Sequence, residues 1–170
     1  MELKKKYGGN FLGGIQKDNF SEKRLNNQKY KEVLLKYKEG HKNKYLNILK
    51  KCSIGVANQG LEHSIGWKMG EYLAHGMAIV SNPIEKFQLL GKFVDGENYL
   101  KYENVDDCVE KVDLLYKDKD LRENIQKNNR KYYHTYLRPD KKLQKLFNII
   151  SNKGKMGYNE HTLHTEHNLK

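Results

Sequence analysis

Two apolar runs constrain the fold of this chain more than any other feature: CSIGVAN at 52–58 and MAIVS at 77–81. Neither alternates polar with apolar residues, as a strand with one wet face would. Such runs suit strands covered on both faces, as in a parallel sheet. Parallel strands cannot be joined by a tight turn and need a crossover, usually a helix. The intervening HSIGWKMGEYLAHG (63–76) supplies one. From about Ile65 to His75 it presents Met69, Tyr72 and Leu73 on one side. Gly76 then stands where a left-handed residue ends a helix cheaply. The spacing predicts strand–helix–strand, with Asn82–Pro83 stopping the second strand.

The flanking chain continues the alternation. NFLGG (10–14) reads as a short strand ending in glycines, and 16–27 as a polar loop. KYKEVLLKYK (29–38) reads as a helix with Val33, Leu34 and Tyr37 on one side, broken by EGH. NKYLNILKK (43–51) is a better helix: Tyr45, Leu46, Ile48 and Leu49 follow its period, and lysines fill the last turn, where the dipole favours cations. KFVDGENYL (92–100) reads as a short strand, a tight turn at Asp95–Gly96 and a second extended piece. Asn104 or Asp106 caps a helix with Val109, Val112, Leu115 and Tyr116 as its stripe. Asp118 or Asp120 starts another, with Leu121, Ile125 and Tyr132 inward. Pro139 ends that helix and opens the next, whose stripe is Leu143, Leu146, Phe147 and Ile150. The expected class is α/β: a small, mainly parallel sheet of four strands flanked by helices, within one domain over 1–150. The His- and Lys-containing tail, 151–170, is expected to be disordered.

Charge bears on partners. The chain carries 32 Lys+Arg against 21 Asp+Glu, a formal net charge of +11. The excess sits at the ends: about +9 over 1–51 and about +7 beyond 120, against about −5 between. Such a balance suits an anionic ligand, an anionic membrane surface or nucleic acid, or serves solubility alone. No RNA- or DNA-binding pattern accompanies it, so nucleic acid is not the expected partner. Cys52 and Cys108 lack CxxC spacing, which gives no zinc framework and suits a reducing compartment. His161, His164 and His167 could ligate a metal only if the tail were helical; no metal is expected. No apolar run approaches the roughly 18–20 residues a spanning helix needs. MELKKKYGG lacks a signal peptide's apolar region. The expected location is cytoplasmic, with a peripheral contact to the inner face of the membrane left open by the basic ends.

The chemistry concentrates in the crossover. In a parallel α/β sheet, ligands sit outside the carboxyl ends of the strands. The loop 58–64 lies at such an end and feeds a helix start. Free amides at Ile65, Gly66, Trp67 and Lys68, together with the helix dipole, make an anion site. Gly66 permits close approach of a ligand, or close helix–strand packing, as does Gly70. Ser64 caps the helix or bonds the anion. Lys68 in the first turn opposes the dipole unless an anion sits there. Glu71, about one and a half turns further in, can accept from a pair of sugar hydroxyls, or is a solvated helix residue. Phosphate on amides beside a sugar on a carboxylate outlines a nucleotide ligand.

FLGG (11–14), YLNILKKCSIGVAN (45–58), HSIGWKMGEYLAHGMAIVS (63–81), FVDGENYL (93–100) and VDDCVEKVDLLYKDKDLRENIQKNNRKYY (105–133) follow one another in a familiar order. From about Asn10 to Tyr136 the chain resembles the later part of the C-terminal, donor-binding domain of GT-B fold glycosyltransferases of the group 1 (family 4-like) type. The resemblance implies a partial Rossmann-like fold. It makes Glu71 the second glutamate of the family's E-x7-E motif, on the ribose of a nucleotide sugar. The amides from Ser64 to Lys68 would hold the diphosphate, and Gly13, Gly14 and Ile15 would lie beside the nucleobase. The motif's first glutamate falls on His63, where histidine could bond the donor sugar or a phosphate, or be a plain loop residue. No cofactor is implied, since the nucleotide sugar is a substrate. The acceptor would be a glycan or a lipid-linked saccharide, as in cell-surface polysaccharide synthesis, and a separate N-terminal domain would bind it. Two rival readings remain from the residues: a noncatalytic α/β module that needs a partner chain, and a basic nucleic-acid-binding protein.

Overall fold

A computed structural model describes residues 2–16, 34–35, 41–60, 62 and 64–153. In chain order the elements are α1 (Glu2–Tyr7), a short 3-10 turn (Gly8–Asn10), β1 (Ile15–Gln16), β2 (Leu34–Leu35), α2 (Lys42–Leu49), β3 (Ile54–Ala57), α3 (Trp67–Ala74), β4 (Ala78–Ser81), β5 (Tyr99–Lys101), α4 (Val105–Lys117), α5 (Lys119–Tyr132), a wide π turn (Tyr133–Leu137) and α6 (Pro139–Lys153).

The strand–helix–strand unit forms. β3 and β4 pair in parallel, Ile54 opposite Ala78 and Ala57 opposite Ser81. β5 pairs in parallel on the other side of β4, with Ile79 opposite Tyr99. The order β3-β4-β5 makes a three-stranded parallel sheet with β4 in the middle. All four residues of β4 are buried, as its unbroken apolar run requires. Its alternating side chains feed two cores. Ile79 joins Ala57, Met69, Tyr72, Leu73, Met77 and Tyr132 on the face covered by α2 and α3. Ala78 and Val80 join Leu100, Cys108, Val112, Leu115 and Ile125 on the face covered by α4 and α5. The expected α/β class, a small parallel sheet flanked by helices, is what the chain adopts.

Several boundaries are chemically clear. Asn104 is the cap of α4, accepting from the Asp107 amide at 3.0 Å, while the Asp107 side chain accepts from the Glu103 amide at 3.0 Å. Asp118 caps α5, accepting from the Leu121 amide at 2.9 Å. Gly76 takes φ +62 after α3. Gly96, at φ +80, makes the tight turn before β5.

Several expectations are corrected. Residues 11–14 are irregular, and the strand there is Ile15–Gln16. It pairs with Leu34–Leu35 in a separate two-stranded parallel ladder, so the main sheet has three strands rather than four. Leu34 and Leu35 are therefore extended, not helical. A run of adjacent apolar residues fits a strand as well as a helix face, and backbone pairing decides. Residues 92–94 form no strand, and Tyr99–Lys101 joins β4 in parallel instead of closing a hairpin. The stripe of α6 reaches neither core: Leu143, Leu146, Phe147 and Ile150 are each more than half exposed. The rest of 29–38, the loop at 17–27, His63 and the tail histidines lie outside the described residues. So does 154–170, while α6 itself runs to Lys153.

Both cysteines are free, Cys108 buried and Cys52 half-buried. Among the described residues no helix is long and apolar enough to cross a membrane.

Candidate functional site

β3, β4 and β5 end at Ala57, Ser81 and Lys101, and the next residue in each case is polar: Asn58, Asn82 and Tyr102. These three meet across the carboxyl edge of the sheet. The Tyr102 hydroxyl contacts Asn58 Oδ1, and it lies 3.2 Å from Asn82 Oδ1. Burial pushes the Tyr102 phenol above its ordinary pKa, so it stays a donor at neutral pH. Asn82 Oδ1 also accepts from the Gln59 amide at 3.2 Å, and Gln59 Nε2 donates to the Pro83 carbonyl at 3.0 Å. The chain leaving β3 is thus tied to the chain leaving β4.

From that anchor the loop turns back on itself. Gln59 and Ile65 form an antiparallel bridge, and the Gly60 amide donates to the Ser64 carbonyl at 2.7 Å. Two glycines make the turn possible. A Cβ on Gly60 would stand 2.7 Å from Ser64 Oγ, and one on Gly66 would stand 2.9 Å from the Asn58 carbonyl oxygen. Gly66 thus serves close packing of the helix start on the strand end. Gly66 is also the N-cap of α3, extended at φ −67 and ψ 149, with no side chain capping it. Ser64 does not cap the helix. Met69 N–H closes a tight first turn onto the Gly66 carbonyl at 3.1 Å. The amides of Trp67 and Lys68 find no acceptor among the described residues. These two amides give the helix end anion-binding potential. Trp67, the chain's single tryptophan, is 91 % exposed at that point.

Glu71 does not simply face solvent. The Tyr45 hydroxyl, on α2, donates to Glu71 Oε2 at 2.7 Å. Glu71 Oε1 has no donor among the described residues. Burial first, then the bond to Glu71, holds the Tyr45 phenol well above its ordinary pKa. The Lys68 ammonium stands 5.7 Å from the centroid of the same ring. One tyrosine thus touches both charged groups of α3 that bear on the site: Lys68 through its face and Glu71 through its hydroxyl. Such an arrangement presents a fixed carboxylate one turn from a cation and two free amides, which suits a polyhydroxyl group attached to an anion.

Gly13, Gly14 and Ile15 arrive differently. α1 docks on α4, on the sheet face opposite α3: the Tyr7 hydroxyl donates to Asp113 Oδ1 at 2.9 Å, and Lys6 and Lys117 flank the same carboxylate. Asn10 Nδ2 donates to the Tyr116 hydroxyl at 3.3 Å. Gly13 then passes the ring of Phe11, 3.0 Å from where its Cβ would be. No hydrogen bond or ion pair among the described residues joins Gly13–Ile15 to Ser64–Glu71.

Sequence reasoning missed Tyr45 as more than a core residue; it had Asn58 only as the start of a loop and Asn82 only as a strand stop, and it did not single out Tyr102. The signal for the last three was a polar residue directly after each buried strand. Tyr45 left no local signal, because its partner lies 26 positions away. No group of three or more His, Cys, Asp or Glu among the described residues could hold a metal ion.

Comparison with known proteins adds one finding. A family model described as "Glycosyl transferase-like" matches residues 7–148, most of the chain. No curated protein and no solved structure matches.

Proposed function

The chain belongs to the glycosyl transferase-like family, and from that premise we propose that it binds a nucleotide-sugar donor at the carboxyl edge of the sheet. In this reading the Trp67 and Lys68 amides, with the Lys68 ammonium, hold the diphosphate. Glu71 Oε1 accepts from the ribose hydroxyls, and Tyr45 fixes the carboxylate for them. Ser64, Ile65 and Gly66 shape the wall of the same site. His63, at the position of the first glutamate in the family's motif, would bond the transferred sugar or a phosphate. Gly13, Gly14 and Ile15 would border the base.

Transfer follows from holding the leaving group. As the glycosidic bond breaks, charge builds on the diphosphate, and preorganised amides and a cation stabilise it more than they stabilise the bound donor. The sugar passes to a glycan or lipid-linked acceptor, as in cell-surface polysaccharide synthesis, with the acceptor's binding site supplied by a separate domain. A cytoplasmic location at the inner face of the membrane belongs to the same proposal.

One observation supports this reading above the others. Glu71 is oriented by a partner on a neighbouring helix, with one oxygen left for another donor. A solvated helix glutamate needs no such support. The single tryptophan reports on the site directly. Titration of nucleoside diphosphates and nucleotide sugars should change Trp67 fluorescence saturably, and Glu71→Ala should abolish the change for ligands carrying ribose. A flat response in the unaltered chain up to millimolar ligand would remove the proposal. Salt-sensitive RNA binding in its place would favour the nucleic-acid reading.

A further inference from the structure

Tyr102 is anchored at both ends. Its ring belongs to the core beneath α4 and α5, and its amide donates to the Ser81 carbonyl at 3.0 Å. Its hydroxyl is thereby held at the carboxyl edge of the sheet, in contact with Asn58 Oδ1 and 3.2 Å from Asn82 Oδ1. A second donor decides which way Asn82 lies. The Gln59 amide can only donate, so the Asn82 atom 3.2 Å from it is the carbonyl oxygen. The single phenol proton goes to Asn58, its nearer partner. Each carboxamide therefore uses its oxygen within the protein and keeps its Nδ2 for something else. No acceptor among the described residues meets either Nδ2. Neither group is sealed in: Asn58 is exposed and Asn82 half-buried.

The pair offers N–H donors and no charge. A diphosphate is matched by helix-end amides and a cation. A neutral carboxamide, fixed in place, instead suits a hydroxyl oxygen, and a few such groups set the orientation of a small ligand. Their position follows the order of parts in the donor. A Cβ on Gly66 would stand 2.9 Å from the Asn58 carbonyl oxygen, so Asn58 adjoins the start of α3. Trp67 and Lys68 come next, and Glu71 lies about 7 Å beyond Gly66 along the helix axis. A ligand with its ribose at Glu71 and its diphosphate on the Trp67 and Lys68 amides has its remaining part, the sugar, at the Gly66 end. That end is where the two carboxamides stand.

We propose that Asn58 and Asn82 donate from Nδ2 to hydroxyl oxygens of the transferred sugar, with Tyr102 as the residue that positions both carboxamides. The inference rests on the sugar-donor reading and adds the subsite that tells a nucleotide sugar from the bare nucleoside diphosphate. Calorimetric titration of the full chain with UDP, UDP-glucose, UDP-N-acetylglucosamine, GDP and GDP-mannose tests it. At least one nucleotide sugar should bind more tightly than its own nucleoside diphosphate. Asn82→Asp keeps the oxygen that holds the Gln59 amide and replaces only the free donor. It should cut that preference by about 5- to 10-fold, as should Asn58→Asp. The added charge acts on both ligands alike, so the ratio of the two affinities is what is read. Tyr102→Phe should lower the ratio too, and by more than it lowers affinity for the diphosphate. A purely structural tie between the strand ends would weaken both ligands equally, and an unmoved ratio overturns the proposal. So does binding of a nucleoside diphosphate with no gain from any sugar, a result that leaves the donor reading standing. Failure of every ligand to bind defeats both.

Discussion

The Tyr45 hydroxyl meets Glu71 Oε2 at 2.7 Å, joining the helix before β3 to the helix after it. The bond does two things at once. It locks α2 against α3, and it sets the direction of a carboxylate that would otherwise sample several rotamers. Tyr45→Phe removes only the hydroxyl and keeps the ring that Lys68 faces. We expect a loss of about 1–2 kcal/mol in urea unfolding, typical of a partly buried bond to a charged group. Nucleotide affinity should fall in the same variant, but by less than in Glu71→Ala. Unchanged stability would mean that the bond does not persist in solution.

The tyrosines also set the alkaline limit of stability. Burial, and then the charge of Glu71, pushes the Tyr72 phenol from 10.0 up to about 12. Burial, and then the bond to Asp113, raises Tyr7 to about 12 as well. Tyr45 and Tyr99 move the same way, each chiefly by burial. A phenol is neutral when protonated, so above pH 10 the folded chain keeps protons that the unfolded chain releases. Stability is therefore untouched by these groups below about pH 10 and falls as pH rises from about 10 towards 12. Ultraviolet titration near 295 nm should show part of the 12 tyrosines ionising late in the folded protein and together in denaturant. A single normal titration of all of them under native conditions would contradict this.

Asn129 is fully buried and sits where three elements meet. Its Nδ2 donates to the Met77 carbonyl at 2.8 Å, and its Oδ1 accepts from Asn98 at 3.3 Å. Asn98 in turn accepts from the Val94 amide at 3.1 Å, which holds the turn before β5. Asn129→Leu would leave the Met77 carbonyl and the Asn98 amide buried without partners. The expected cost is about 2–4 kcal/mol, since each orphaned group carries about 1–3. Chemical denaturation measures it, and a cost below that of Tyr45→Phe would show that the network relaxes freely.

The βαβ unit was legible in the sequence because its signals are local. Val80 and Ile79 sit in an unbroken apolar run, Met69, Tyr72 and Leu73 keep a helical spacing, and Gly76 marks the stop. Asn104 and Asp118 were each legible as one of two candidate caps, and the structure decides between them and Asp106 and Asp120. The pairing of Ile15–Gln16 with Leu34–Leu35 was not, because a two-residue ladder is fixed by a distant partner and not by its own pattern. β5 joined β4 rather than folding back on 92–94, since a parallel neighbour offered Tyr99 a fully buried place on the covered face. Glu71 and Lys68 stood out by residue type. Tyr45 did not, for in sequence it is one more apolar position on a helix.

The stretch that starts α3 holds two glycines whose roles can be separated by a single methyl group. Gly66 is the helix cap, and a Cβ there would press to 2.9 Å on the Asn58 carbonyl, a backbone atom that cannot swing aside. Gly66→Ala should therefore push α3 off the end of β3, costing about 1–2 kcal/mol and weakening nucleotide binding at Trp67 and Lys68. Gly70 lies inside α3, exposed, with nothing within 4 Å of its would-be Cβ. Gly70→Ala meets no clash and gains helix propensity, so it should stabilise the chain by about 0.5–1 kcal/mol. Thermal unfolding of the two variants should move in opposite directions, with Trp67 fluorescence following nucleotide binding in each. If Gly70→Ala raised the melting temperature yet abolished the nucleotide response, a ligand would have to pass over Gly70 itself. The donor site would then lie along the flank of the helix instead of at its end.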